Sequence, residues 1–273
     1  MQKFPLWRVI FSGTASGAEN MAIDSAILQA IATHQSPPTL RLYAWEPACL
    51  SLGVSQLSHE AHLEEIAKNG WQIVRRPSGG RAILHTRELT YALLASETDP
   101  VMDGGIIASY RRISQGLLTA LEAMGVAASN EGTVPEGAHK QLPVCFEVPS
   151  DYEIVANGKK LIGSAQVRKQ GVVLQHGSLP LYGDIGEICS ALRFEHEIER
   201  AETAVRVRQR ATTLEAVLGY TPTWQATAEQ VQAGLAHALD VQFELGALNA
   251  YEEELAQTLR VEKFGNPEYT FRR

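Results

Sequence analysis

The chain has 273 residues, 45% of them hydrophobic, enough to bury a large core in one large domain or one domain with a small appendage. Lys and Arg number 24 against 31 Asp and Glu, a formal net charge of −7, which excludes general nucleic-acid affinity and requires any anion site to be local. No window reaches the eighteen or so apolar residues of a membrane helix, and the first residues have no long apolar stretch behind a basic start, so no membrane partner and a cytoplasmic location are expected.

Residues 7–11 read as a short strand. Apolar residues at Met21, Ile23, Ile27, Leu28 and Ile31 then predict an amphipathic helix over 16–34, stopped by Ser36-Pro37-Pro38. Alternation over 40–45 and an apolar run over 49–54 predict two strands, and a short helix between His59 and Asn69 ends at Gly70. Two apolar runs, 71–74 and 82–84, are joined by Arg75-Arg76-Pro77-Ser78-Gly79-Gly80-Arg81. Paired glycines accept positive φ and let a ligand lie against bare backbone, so this turn is either a cradle for a phosphate or thioester oxygen or a plain β-turn with exposed arginines.

A buried strand over 89–95 and a helix over 107–124 follow, then a weakly patterned loop over 129–140. From 144 to 181 the β signals return, with turns at Asn157-Gly158 and near Gln170-Gly171. A tight hairpin at Asn157-Gly158 sets Lys160 opposite Val155 and leaves Cys145 about ten residues further along. From 184 onward the pattern is mainly helical, with a strand at 241–245. The sum is an α+β fold, with mixed, largely antiparallel sheets flanked by helices.

Three cysteines, Cys49, Cys145 and Cys189, share no C-x-x-C spacing, so neither a disulfide framework nor a zinc site is indicated. Cys49 and Cys189 sit among apolar neighbours and read as core thiols. His59-Glu60-Ala61-His62 lacks metalloprotease spacing and reads as a solvated helix start, so no metal is expected. Arg75, Arg76, Arg81, Lys159, Lys160, Arg168 and Lys169 form a positive set in an acidic chain, either merely solvated or able to steer an acidic partner.

Three segments carry a resemblance when taken together: the turn from Arg75 to His85, Cys145-Phe146 followed by Pro149-Ser150-Asp151-Tyr152-Glu153, and Lys160-Leu161-Ile162-Gly163-Ser164-Ala165-Gln166. With Asn20 to Asp24, Tyr43-x-Trp45-x-Pro47 and His176-Gly177-Ser178, they resemble the lipoate-protein and biotin-protein ligase catalytic-domain superfamily. Within it the chain is similar to the octanoyltransferases related to lipoate ligase A. The resemblance implies an acyltransferase catalytic domain over 1–211, with a mainly helical extension over 212–273 packed on it.

It further implies that an octanoyl group passes from acyl carrier protein through a thioester on Cys145 to a lysine of a lipoyl domain or of the glycine-cleavage H protein. Lys160 is then the cationic partner of the thiol, and the closeness of the two residues is itself implied by the resemblance. Arg76, Ser78, Gly79, Gly80, Arg81, Gly163, Ser164, Ala165, Gln166 and Gly177 become substrate-binding candidates. His85 and His176 are either core or turn histidines or part of the same pocket. A thioester donor is already activated, so the chemistry needs a thiolate, a cation and oxyanion donors but no cofactor. An ATP-dependent lipoate ligase, a relay enzyme drawing octanoate from the H protein and a non-catalytic carrier-binding module are the alternatives.

Overall fold

The computed structural model describes residues 6–131 and 153–273. Its strands are β1 (Leu6–Ala15), β2 (Thr39–Trp45), β3 (Cys49–Leu52), β4 (Gln72–Arg75), β5 (Ile83–His85), β6 (Glu88–Ser96), β7 (Ala128–Glu131), β8 (Glu153–Ala156), β9 (Lys159–Lys169), β10 (Val172–Pro180) and β11 (Gln242–Leu245). The helices are α1 (Gly17–Ala32), α2 (Leu63–Lys68), α3 (Gly105–Ala123), α4 (Glu197–Arg210), α5 (Leu214–Leu218), α6 (Trp224–Leu239), α7 (Ala250–Leu259) and α8 (Pro267–Thr270). Eight strands form one sheet in the order β11-β1-β2-β6-β10-β9-β8-β7, and three form a second in the order β4-β3-β5.

The large sheet is antiparallel from β2 to β7, while β11 and β2 run parallel to β1 on either side of it. Strands β6 and β10 are buried almost without interruption because helices cover both faces. Their side chains still divide with the two-residue period of a strand. Leu40, Leu42 and Leu93 join Ile113, Leu117 and Leu235 on the α3/α6 face. Tyr43, Ala92 and Leu94 join Met21 and Ile27 on the α1 face.

Both expected hairpin turns are present. Asn157 and Gly158 have φ of 52° and 70°, and Gln170 and Gly171 have 56° and 73°, the paired positive values that match a hairpin's right-handed twist. Lys160 faces Val155 as the tight turn requires. Helix α1 departs from the amphipathic expectation: Asn20, Asp24 and Ser25 are buried along with its apolar residues. The cause is Arg41 on β2, which donates to Asp24 Oδ1 at 2.8 Å and to Asn20 Oδ1 at 2.7 Å, so polar positions of the helix find partners inside.

Segment 212–273 holds α5 to α8 and also β11, which extends the large sheet beside β1. Helix α6 lies against α3, and Arg75 on β4 donates through Nε to Thr270 O at 2.9 Å, tying the end of the chain to the small sheet. Among the described residues, no helix is long and apolar enough to cross a membrane.

Candidate active site

The turn after β4 is organised from within by Arg76, which is 3% exposed and therefore not a surface cation. Its Nη1 donates to Ser51 O at 2.9 Å, and its Nη2 to Gly79 O and Arg81 O, both at 2.7 Å. The guanidinium gathers the carbonyls of its own turn. Gly80 has φ +91°, the conformation for which glycine is suited. Ser78 is buried and meets His176 Nε2 at 2.5 Å, while Val54 N donates to Ser78 O at 2.9 Å.

Behind the turn, a cavity is lined by Arg76, Gly79, Gly80 and His85 on one side and by Gly163, Ser164, Ala165, His176 and Gly177 on the other. Met21, Tyr43, Trp45, Ile83 and Thr90 supply much of the rest. The two glycine motifs, more than eighty residues apart in sequence, therefore face one space. Gly177 is required there by contact, since a Cβ on it would stand 2.5 Å from both Ser164 Oγ and Tyr91 Cε1. Tyr91 Oη in turn meets Ser164 Oγ at 2.7 Å.

Two histidines are fixed at the cavity by carboxylates. His85 stacks on Trp45 at 3.9 Å, with Nδ1 2.8 Å from Glu88 Oε1 and Nε2 2.8 Å from Ser51 Oγ. Burial raises the Glu88 carboxyl, but His85, Ser178 and Thr90 outweigh it and hold its pKa below the usual carboxylate range. His176 has Nδ1 3.9 Å from Asp24 Oδ2. Burial, opposed by Asp24, pushes the His176 pKa down, which keeps the ring neutral, with Nε2 sharing a hydrogen bond with Ser78 Oγ. Asp24 itself is pushed up by burial and, more strongly, down by Arg41 and His176; Tyr43 also donates to it at 2.9 Å.

Because folded His176 resists a proton that an unfolded imidazole accepts near pH 6.5, its contribution to stability is fully present above that value. The contribution declines as pH falls below it. Urea unfolding from pH 7.5 to 5.5 should therefore show a falling unfolding free energy, steeper in wild type than in His176→Gln by at most about 1.4 kcal/mol per pH unit. Equal slopes in the two proteins would show that this ring is not held neutral in the fold.

Lys160 is 4% exposed and donates to Glu153 across the β8–β9 hairpin. A Cβ on Gly163 would stand 3.1 Å from Lys160 Cε and 3.6 Å from its Nζ, so the ammonium lies directly behind the Gly163 part of the cavity wall. Cys145 lies outside the described residues. Ser78 is joined to the cavity through His176, whereas Gln166 and Arg81 lie off its lining. Gln166 donates to Gln175 at 2.9 Å and to Ser109 at 3.1 Å, and Arg81 pairs with Glu60 at 3.7 Å.

The structure corrects the expectation of one exposed positive set. Arg75, Arg76 and Lys160 are buried, Lys159 Nζ donates to Arg208 O at 2.8 Å, and Arg168 donates to Met102 O at 3.0 Å. Cys49 and Cys189 are buried thiols as expected, and burial pushes the Cys49 pKa up. His62 Nδ1 accepts from Glu65 N at 3.3 Å and caps α2. Asp24, Arg41, Ser51, Glu88 and Thr90 were not singled out as site residues. The signals for them were faint: Asp24 closes the Asn20 to Asp24 motif, and Glu88 follows His85 by three positions.

A family model described as the lipoyl protein ligase A/B catalytic domain matches residues 16–236. The chain is 39% identical over 272 residues to the octanoyltransferase LipM of Kyrpidia tusciae, covering 98% of this chain and 99% of the relative. To the octanoyltransferase LipM of Clostridioides difficile it is 38% identical over 270 residues, covering 98% and 99%. Among solved structures it resembles one from the Thermoplasma acidophilum system of a bipartite lipoate protein ligase and its E2 lipoyl domain. That match has a TM-score of 0.82 at 21% identity and covers 98% of this chain and 96% of the other. A lipoate-protein ligase A bound with ATP gives 0.80 at 21%, covering 99% of each chain. At such identity these two speak to the fold alone, and they bear out the expected α+β, lipoate-ligase-like architecture.

Proposed function

This chain belongs to the lipoyl protein ligase A/B catalytic domain family, and from that premise we propose that it is an octanoyltransferase of lipoate assembly that works through a thioester on Cys145. Full-length relatives that bear the name octanoyltransferase support the acyl group, and the apolar and glycine-rich cavity wall suits an unbranched chain. The observation that carries the reading is Lys160, a cation held by Glu153 immediately behind Gly163, which lines the space an acyl carbonyl would enter.

In the first half-reaction the Cys145 thiolate attacks the carbonyl carbon of octanoyl-acyl carrier protein. A new C–S bond forms, the carrier's C–S bond breaks, and the carrier thiolate leaves and takes up a proton. In the second, the neutral amine of a lysine on a lipoyl domain or glycine-cleavage H protein attacks the acyl-cysteine. The amide forms, the amine loses its proton and the Cys145 thiolate is restored. Lys160 favours the thiolate and the tetrahedral oxyanion over their neutral counterparts. No nucleotide enters either step, because the donor thioester is already activated.

Incubation with octanoyl-acyl carrier protein alone should add one octanoyl group, found by mass spectrometry at Cys145 and removed by hydroxylamine. Addition of an apo lipoyl domain should discharge it at the same rate with and without ATP. Transfer that requires ATP and free octanoate would reassign the chain as a ligase. Transfer with no adduct, at a rate unaffected by Cys145→Ala, would remove the covalent step.

A further inference from the structure

A second depression, of about 300 Å3, reaches the glycine turn at Pro77 and shares no lining residue with the acyl cavity. It is bounded by the outer side of α1, by Pro77, by Lys169 and Gln170 at the β9–β10 turn, and by Lys263, Tyr269 and Arg272 of the C-terminal segment. Cations gather in it without acidic company. Lys263 Nζ is 5.1 Å and Arg272 Cζ 4.2 Å from the centroid of the same Tyr269 ring, and no acidic side chain is among the groove's lining residues. In a chain with 31 acidic and 24 basic residues, this local balance runs against the composition.

Arg75 adds to the imbalance. It is fully buried and spends its donors on the carbonyls of Thr270, Gly53 and Gln56. Its Nη2 has no acceptor among the described residues, and the neighbouring Arg272 charge opposes its own. Lys263 responds to the same crowding: burial, then Lys169 and Arg272, push its pKa down to about 8. Like charges crowded together repel one another, and an anion placed among them removes that cost.

We propose that this groove is a phosphate subsite and that it takes the phosphodiester of the phosphopantetheine arm on which a carrier protein presents the octanoyl thioester. The assignment rests on the reading of a carrier-borne donor given above. Its position suits that ligand, because Pro77 borders the groove while Arg76, Gly79 and Gly80 border the acyl cavity. An arm anchored by its phosphate on one side of the turn has its thioester end directed at the other. Arg272 and Lys263 around the Tyr269 ring supply charge-assisted donors to a phosphate, Lys263 from a half-buried position.

The test compares wild type with the Lys263→Gln, Arg272→Gln double variant on two donors, octanoyl-acyl carrier protein and the octanoyl thioester of N-acetylcysteamine, which has no phosphate. KM for the carrier donor should rise about tenfold or more with kcat little changed, while both constants for the small thioester stay as in wild type. An equal change on the two donors, or no change on either, overturns the subsite. Apo-carrier, which lacks the arm, should compete poorly. If it competes as well as holo-carrier, and loses that ability in the variant, the groove pairs directly with carboxylates of the carrier surface rather than with the phosphate, and the proposal falls.

Calorimetry with 4′-phosphopantetheine and with pantetheine separates this idea from the catalytic reading. Should wild type transfer octanoate from neither donor, selective binding of the phosphorylated compound that is lost in the variant still sustains the groove. Equal binding of the two compounds overturns it.

Discussion

Replacing Lys160 with alanine is expected to lower octanoyl transfer at neutral pH to about one hundredth of the wild-type rate or less, the loss typical of removing a donor to a developing oxyanion. The proposed role of its ammonium predicts a second, separable effect. Without it the Cys145 thiol should return toward its ordinary pKa of about 8.5, and a rise of one to two units corresponds to about 1.4 to 2.7 kcal/mol of lost thiolate stabilisation. Iodoacetamide alkylation of Cys145 followed against pH reads that rise without involving the acyl carbonyl. The inflection should move to higher pH in the variant.

Lys160→Ala also takes the ammonium away from Glu153, and breaking a buried pair from one side costs about 3–5 kcal/mol. The alkylation curve is therefore best repeated in Lys160→Met combined with Glu153→Gln, which removes both charges at once. An unchanged inflection in a folded protein with accessible Cys145 would hand the pKa-setting role to another group, with His176 and His85 the first to examine.

The second large effect is expected at Gly53, which is no substrate-binding candidate itself but packs against one. A Cβ there would stand 2.0 Å from Gly80 O and 3.0 Å from Gly80 C. These are backbone atoms, so relief comes only from shifting the turn. The surroundings resist a shift: Val54 N is bonded to Ser78 O at 2.9 Å, Arg76 N to Leu52 O at 3.0 Å, and Ser78 to His176. Gly53→Ala should therefore lower stability by about 1–3 kcal/mol, as overpacking does. It should lower transfer about a hundredfold through misplacement of the turn by an ångström or so.

Gly79→Ala is the matched control, since a Cβ there meets nothing within 4 Å and no positive φ has to be kept. Its fold should survive intact, whatever it does to acyl binding. Full transfer activity in a folded Gly53→Ala protein would detach this packing contact from function.

What could be read in the chain beforehand follows from how far each signal reaches. Asn157-Gly158 announces its hairpin because positive φ is a property of those two residues, and the facing of Lys160 and Val155 follows from the turn. The apolar run of β6 announces burial on both faces in the same local way, whereas β10, with Gln175, His176 and Ser178 inside, does not. The glycine motifs gave the cavity wall, apart from Arg81 and Gln166, whose partners Glu60 and Gln175 draw them away from it.

Burial of Arg75 and the inward turn of α1 lie beyond local pattern because the partners are remote. Arg75 is held by a carbonyl 195 residues later, and Arg41 turns a would-be solvent face of α1 inward. No window of sequence contains both members of such a pair. Glu153 stands in a motif that does not disclose its task, since the task depends on the hairpin that sets it beside Lys160.

The placement of β11 beside β1, together with the bond from Arg75 to Thr270, bears on how the molecule assembles. As the chain emerges from synthesis in order, β1 can pair with β2 early, but its other edge waits until residues 242–245 appear. Arg75 likewise waits for residue 270 before its Nε finds a carbonyl. The partly made chain thus holds an unsatisfied strand edge and a small sheet without its last anchor, a state of high contact order that folds slowly and pairs readily with other edges. Ribosome-bound chains that stop short of residue 242 should accordingly be cut by protease within the glycine turn, and chains that extend past 270 should not.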